Sequence, residues 1–247
     1  MNAMTMHVRA VNTALESENK IHDDAVAAAY GFRGGLVPGA TVYGYLAAAA
    51  CEYFGPEWLE RGAMDVRFHR PVYHDDDVAV SVQPEPDGRA RVDAGPCASG
   101  MAWIHAERPV SIDQEQAVHR KTPSIESLAP GTVLGAIAPV IDLAQSRLSA
   151  PLAAELHGRA HPAILLALAN RIFVENYELG PWIHVGSEIR KFGSAKNGDQ
   201  LRVRARVEEQ YERRGHEFVV LQVDIRNGGR TMETVRHTAI WRPRMTQ

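Results

Sequence analysis

The chain has 247 residues, a length that fits one large domain or two small ones. Hydrophobic residues make up 45% of the chain and charged residues 23%, which is typical of a globular protein that folds in water. The formal net charge of −3 excludes a global positive field that would hold nucleic acid or an anionic membrane, so no nucleic-acid partner is predicted.

The cysteines and the apolar runs bear on location. Cys51 and Cys97 have neither the spacing of a zinc site nor the number of a disulfide framework. The segment MNAMTMHVRAVN has no apolar signal core, and no apolar run is long enough to span a bilayer. We therefore predict a cytoplasmic protein with no membrane insertion, no bound metal and no other cofactor.

The first strong helix prediction covers residues 36–54, LVPGATVYGYLAAAACEYF. Pro38 is tolerated in the first turn, and Gly55 with Pro56 ends the helix. The segment is apolar nearly all round and rich in small side chains, so we expect it to be buried against a closely approaching sheet.

Strand-like runs follow this helix and are bounded by turn signals. A polar turn, YHDDD, separates the first two of them, and this position favours a solvated turn over a metal cluster. The first half is therefore predicted to be one helix followed by an antiparallel sheet. The predicted strands are 65–72, 78–83, 89–94 and 98–106.

The pattern begins again after a polar, proline-containing segment at 107–130. We predict a strand at 131–141 and a second apolar helix at 161–180 that ends at Gly180 and Pro181. Further strands are predicted at 184–192, 199–210, 216–228 and 230–242.

The two halves align with each other. Pro38 corresponds to Pro162, and Asp76 corresponds to Asp199, at nearly the same offset along the chain. We therefore predict two tandem copies of one helix-plus-sheet module. The N-terminal module is 1–106, the linker is 107–130 and the C-terminal module is 131–247.

A buried helix wrapped by a curved antiparallel sheet resembles the hotdog fold, and two copies resemble a double hotdog, an α+β architecture. Three segments carry a closer resemblance, to the MaoC-like or R-specific enoyl-CoA hydratase family. In that family a D-x-N-P-x-H segment precedes the central helix, a glycine-rich turn opens it, and F-x-x-P-V-x-x-G-D-x-L follows. The resembling segments are NKIHDDAVAAAYGF (19–32), GGLVPG (34–39) and FHRPVYHDDDV (68–78).

The resemblance implies a reaction that adds water to an enoyl thioester or removes it from a 3-hydroxyacyl thioester. His22 would be the acid/base, and Asn19 and Ser17 would position the water. The backbone N–H of Gly39 would polarise the thioester carbonyl, aided by the helix dipole. The N-terminal module would carry the site and the C-terminal module would serve as scaffold.

Three positions depart from the family pattern. Ser17 stands at the aspartate position, Lys20 at the proline position, and Pro38 where histidine usually precedes the glycine. A serine hydroxyl positions water but is not a base near neutral pH. The neighbouring carboxylates, none of them at the family position, are Glu18, Asp23 and Asp24.

Four further residues are predicted to line the substrate site. Arg33 either pairs with a phosphate of coenzyme A or is solvated. Gly34 and Gly35 let the chain turn into the buried helix. Tyr43 lies on that helix, where it either lines an acyl tunnel or bonds to a backbone carbonyl.

The predicted function is therefore that of a hydratase or dehydratase acting on an acyl-CoA or acyl-carrier thioester. Two alternatives stay open: an acyl-CoA thioesterase, and a non-catalytic acyl-CoA-binding module or scaffold subunit, which Ser17 favours. The discriminating observation is a carboxylate within about 3 Å of the water site beside His22. Because tandem copies can pair their sheets within one chain, a monomer and a homodimer of double hotdogs both remain open.

Overall fold

A computed structural model describes residues 2–146, 152 and 155–245. Within these residues a short 3-10 turn at Lys20–His22 precedes the first helix. The helices are α1 (Asp24–Ala29), α2 (Gly39–Phe54), α3 (Trp58–Arg61) and α4 (Pro162–Asn176). The strands are β1 (Met4–Arg9), β2 (Gly62–Phe68), β3 (Asp77–Pro84), β4 (Ala90–Ala94), β5 (Ala98–Ile104), β6 (Glu155–Leu156), β7 (Arg159–Ala160), β8 (Ile183–Lys191), β9 (Leu201–Arg213), β10 (His216–Asn227) and β11 (Arg230–Arg242).

Nine of the strands form one antiparallel sheet in the order β1-β3-β4-β5-β2-β8-β11-β10-β9, and β6 and β7 form a separate hairpin. The two halves meet where β2 pairs with β8, with Val66 opposite Ser187. This pairing gives each half a hydrogen-bonded partner for a strand that would otherwise be an open edge. The predicted double hotdog with one continuous sheet is confirmed.

The long helices α2 and α4 pack against the sheet and against each other. Nearly every position of α2 is buried, as its all-round apolar sequence predicts. Its small residues also allow close contact with the second half, since a Cβ added at Gly44 would lie 3.1 Å from Cβ of Ala163. No helix in the described part of the chain is long and apolar enough to cross a membrane.

Both long helices are shorter than predicted. α2 begins at Gly39 because the preceding residues pair as extended chain, with the N–H of Val37 donating to the Val72 carbonyl at 2.8 Å. α2 ends at Gly55, whose φ of 82° favours glycine. α4 ends at Asn176 rather than Gly180, because Lys121 of the linker bonds to the backbone of Asn176 and Glu178.

Two strand predictions need correction. β1 is absent from the predicted strands, although MTMHVR alternates apolar and polar residues and the exposure of its side chains alternates with them. The predicted strand at 131–141 makes only isolated bridges, from Val133 and Ile137 to β9 and from Val140 to Gln200 just before it. Gly135 makes a further isolated bridge to Gln116. This segment flanks β9 as β1 flanks β3, so the two halves keep the same layout at unequal strength.

Candidate active site

A cavity of about 260 Å³ lies beside the start of α2, with walls from both halves of the chain. The first half contributes the loop before α2, the first turn of α2 and the end of β2. The second half contributes α4 and the start of β8. The residues that line the cavity include His22, Gly39, Phe68, Arg70, Asn170, Trp182 and His184.

His22 is held in one tautomer by the loop that precedes α2. Its Nδ1 lies 2.7 Å from the carbonyl oxygen of Leu36. Because a carbonyl oxygen only accepts, Nδ1 carries the proton and Nε2 is the free base. Burial lowers the pKa of His22, and the bond to the Leu36 carbonyl opposes this only in part. The imidazole is therefore neutral near pH 7 and can accept a proton.

The glycines before α2 hold the backbone of this histidine. A Cβ at Gly35 would overlap the carbonyl oxygen of His22, so only glycine allows this approach. The same oxygen accepts a 2.9 Å hydrogen bond from Nδ2 of Asn12. Asp24 accepts from the N–H of Gly35 at 2.7 Å, and Gly34 packs beside the same carboxylate. Gly34 and Gly35 line a separate surface cavity and support the site from behind.

Asn19 fastens the histidine loop to the second half, and Ser17 supports Asn19 within the loop. The Asn19 side chain accepts from the N–H of Trp182 at 3.1 Å and donates to its carbonyl at 3.0 Å. Ser17 Oγ accepts from the N–H of Asn19 at 3.2 Å. Asn19 lines the cavity and Ser17 does not. Their assignment to a water site remains a prediction, and the geometry gives both a loop-anchoring role.

The start of α2 presents backbone donors that no side chain caps. Pro38 occupies the N-cap position, and its carbonyl accepts from Thr41 and Val42. The N–H groups of Gly39 and Ala40 make no hydrogen bond within the described part of the chain. Gly39 lines the cavity, so the first turn of α2 offers a donor and the positive end of a helix dipole to a ligand oxygen there.

His184, which was not among the predicted site residues, lies directly against Gly39. A Cβ added at Gly39 would be 2.8 Å from Nδ1 of His184. The ring also packs edge-on to Phe68 at 4.8 Å between centroids. Burial, followed by the neighbouring His237, lowers the pKa of His184 well below its usual value. The pairing of β2 with β8 brings this histidine to the first half, and no sequence motif around it predicts that position.

Arg33 and Tyr43 do not reach this cavity. Arg33 pairs with Asp76 and lies 4.2 Å over the ring of Tyr73, so its charge is already compensated. Tyr43 is fully buried, and burial followed by Glu233 raises the pKa of its hydroxyl well above the usual value. The geometry therefore supports neither as a substrate contact. Arg70 lines the cavity instead, and it is exposed and has no ion-pair partner among the described residues.

No carboxylate lines the cavity among the described residues. Glu18 turns outward and pairs with Arg120 at 2.6 Å. Asp23 caps α1 by accepting from the N–H of Val26 at 3.0 Å, and Asp24 is bonded to Gly35. A carboxylate close to the water site beside His22 would favour an enzyme over a binding module. The described cavity lining contains none, which argues against a carboxylate–histidine pair. The candidate base in this cavity is the His22 imidazole, and no carboxylate is among the described residues that line the cavity with it.

Similarity to solved structures extends over nearly the whole chain. No protein-family model matches the sequence, and no curated protein matches it. A MaoC-like dehydratase shares 12% identity, with 97% of each chain covered and a TM-score of 0.58. A conserved protein of Mycobacterium tuberculosis with a double hotdog fold shares 14% identity, covering 97% of this chain and 96% of that one, with a TM-score of 0.62.

A protein assigned as an oleoyl thioesterase of Lactobacillus plantarum shares 9% identity, with 98% of each chain covered and a TM-score of 0.54. At such identities the likeness establishes the fold. The chain therefore has the double hotdog fold that MaoC-like dehydratases share, as its motifs predict.

Proposed function

We propose that the protein binds acyl thioesters in the cavity beside α2 and interconverts 3-hydroxyacyl and enoyl thioesters, with His22 as its single acid/base. The observation that carries this proposal is the placement of a neutral histidine, with Nε2 free, in the same cavity as the uncapped start of α2. A base and an oxyanion donor at one apolar cavity are the groups that this chemistry needs.

In the dehydration direction, Nε2 of His22 removes a proton from Cα of the 3-hydroxyacyl thioester. The resulting negative charge moves to the thioester oxygen, where the Gly39 N–H and the α2 dipole stabilise it. The C2=C3 double bond then forms as the C3–O bond breaks. The imidazolium of His22 returns its proton to the departing hydroxyl, which leaves as water. One imidazole therefore balances both proton transfers without a carboxylate.

Arg70 supports a phosphate-bearing carrier for the acyl group. It lies at the cavity as an exposed cation without a carboxylate partner among the described residues. An unpaired guanidinium suits a phosphate of coenzyme A or of a carrier-linked pantetheine. This assignment replaces Arg33, whose charge is taken up by Asp76.

The test is a spectrophotometric hydration assay with crotonyl-CoA and a longer trans-2-enoyl-CoA, run beside a free-thiol assay. The informative variant is His22→Asn, because its amide N–H replaces Nδ1 as donor to the Leu36 carbonyl while the base at Nε2 is lost. We expect hydration by the wild-type protein and at least a ~100-fold loss in His22→Asn. His119→Asn, at an exposed histidine outside the cavity, is the matched control.

The absence of a carboxylate from the described cavity lining favours a second candidate, which is acyl-thioester binding without turnover. Saturable binding of acyl-CoA with no loss of the enoyl absorbance would establish that role and overturn the enzymatic one. Thiol release that depends on His22 would instead make the protein a thioesterase.

A further inference from the structure

The cavity contains a second imidazole with a free acceptor nitrogen, contributed by the other half of the chain. Nε2 of His184 lies 3.2 Å from the carbonyl oxygen of Gly186 and 2.9 Å from Oγ of Ser187. Because the Gly186 carbonyl only accepts, Nε2 carries the proton and Nδ1 bears a lone pair. This tautomer is opposite to that of His22, whose proton is on Nδ1.

A chain of hydrogen bonds behind the ring keeps His184 in this tautomer. Ser187 receives the Nε2–H of His184 and lies 3.2 Å from Nδ1 of His237, to which its hydroxyl can donate. His237 also lies against the His184 ring, at 4.2 Å between centroids. All three side chains are buried, so the arrangement is shielded from exchange with bulk water.

Nδ1 of His184 has no hydrogen-bond donor within the described part of the chain. Leaving a buried acceptor unpaired is unfavourable, and a ligand donor would recover that cost. His184 lines the cavity, and its Nδ1 lies beside Gly39 at the cavity wall.

The position of Nδ1 suits an atom close to the thioester carbonyl. It lies on the Cβ side of Gly39, whereas the N–H of Gly39 points along the helix axis. A carbonyl held by that N–H would place the C3 substituent, two carbons away, next to the His184 wall. A carbonyl or ether oxygen at that position would have no proton to donate to the lone pair of His184 Nδ1. A hydroxyl group would donate a hydrogen bond to that lone pair.

We propose that His184 accepts a hydrogen bond from the C3 hydroxyl group of a bound 3-hydroxyacyl thioester, so that the second half selects hydroxylated acyl chains at a site whose base comes from the first half. This inference rests on the proposed function and makes it more specific. In the hydration direction the same oxygen is that of the attacking water, which then donates to two imidazoles in place of an imidazole and a carboxylate.

Calorimetry with butyryl-CoA and with each enantiomer of 3-hydroxybutyryl-CoA tests this inference in the His22→Asn background, which prevents turnover during the titration. We expect one hydroxylated enantiomer to bind about tenfold more tightly than butyryl-CoA. Two substitutions at position 184 then separate the functional nitrogen from the structural one, because the amide of asparagine reaches the Nδ1 position and that of glutamine reaches the Nε2 position.

His184→Asn keeps an acceptor at the Nδ1 position, and we expect it to retain most of the tenfold preference. His184→Gln keeps only the donor toward Gly186 and Ser187, and we expect it to bind both ligands equally. His105→Gln, the same substitution at a buried histidine whose Nε2 bonds to the Lys191 carbonyl outside the cavity, is the control and should keep the preference. A preference retained in Gln and lost in Asn would overturn the inference, since only the structural contact would then matter.

The failure of the inference and that of the proposed function are distinguishable. Equal binding of all three ligands by the background protein would overturn the role of His184 and leave acyl-thioester binding intact. No binding of any ligand by either the background or the wild-type protein would overturn the proposed function and the inference with it.

Discussion

The two halves of this protein contain equivalent buried helices, α2 and α4, but the residues at the start of the two helices differ. α2 begins after Val37 and Pro38, and α4 begins at Pro162, directly after His161. In α4 the His161 side chain caps the helix by accepting from the N–H of Ala163 at 3.2 Å, and the imidazole is buried. In α2 no side chain caps the helix and a cavity opens there.

This difference shows that a few residues at the start of the helix decide whether the module has a cavity there or is closed by its own side chains. A helix start leaves N–H groups that need partners. α4 satisfies one of them with its own His161, and valine at the equivalent position of α2 cannot do so. The donors of α2 are left for a ligand, and the loop carrying His22 closes over the same place.

Acidification should destabilise the folded protein through the buried histidines of the second half, and this is the largest effect that we expect. Burial, followed by Lys191, lowers the pKa of His161 to about 4, and burial lowers that of His237 to about 3. The unfolded chain binds these protons near pH 6.5 and the folded chain does not. Stability is therefore complete above about pH 6.5 and falls as the pH drops toward the two folded values.

Each such histidine contributes a slope of about 1.4 kcal/mol per pH unit, and burial also lowers the pKa of His184 well below its usual value. The three together give about 4 kcal/mol per unit below pH 6. Denaturant unfolding at pH 7 and pH 5 measures this slope. His161→Asn keeps a capping side chain but removes one titrating group, and we expect it to lose about a third of the slope. An unchanged slope in this variant would show that His161 titrates as it does in water.

A smaller effect should follow from making the first helix start resemble the second. Gly39 aligns with Ala163, and its Cβ would lie 2.8 Å from Nδ1 of His184. We expect Gly39→Ala to bind acyl-CoA about tenfold more weakly, because His184 must move and the cavity narrows. The helix itself should not be weakened, since alanine is the better helix former by about 1 kcal/mol.

Gly180→Ala is the matched control for this variant, because a Cβ there meets no atom within 4 Å. Calorimetry with butyryl-CoA and thermal unfolding of both variants separate the two effects. Equal affinity of Gly39→Ala and the wild-type protein would mean that ligands do not approach the start of α2.

The sequence predicts the fold of this chain more completely than its site. The all-round apolar character of α2 and the repeat of prolines and aspartates suffice for the tandem modules and the shared sheet. The sequence predicts His22 and Gly39 as residues of the cavity because both belong to the motif that precedes and opens α2. His184 and Asn170 come from a strand and a helix more than 120 residues away, and only the pairing of β2 with β8 brings them to the cavity.

Arg33 illustrates why local sequence does not reveal the partner of a charged side chain. Its position in a glycine-rich turn suggests a free cation at the cleft, but the turn before β3 supplies Asp76, 43 residues later, as its partner. Tyr43 illustrates the same limit for burial: the helix pattern predicts that it is inside, but not whether its inner surroundings are cavity or core.

The measurement that tests the central claim most directly is imidazole NMR of the histidine-labelled protein during titration with butyryl-CoA. Spectra of His22→Asn and His161→Asn assign the two signals. We predict that the His22 signal shifts on titration and that the His161 signal, sealed in the second half, does not. A saturating shift of His161 with an unmoved His22, or no shift at all, would contradict a single acyl-thioester site at the start of α2.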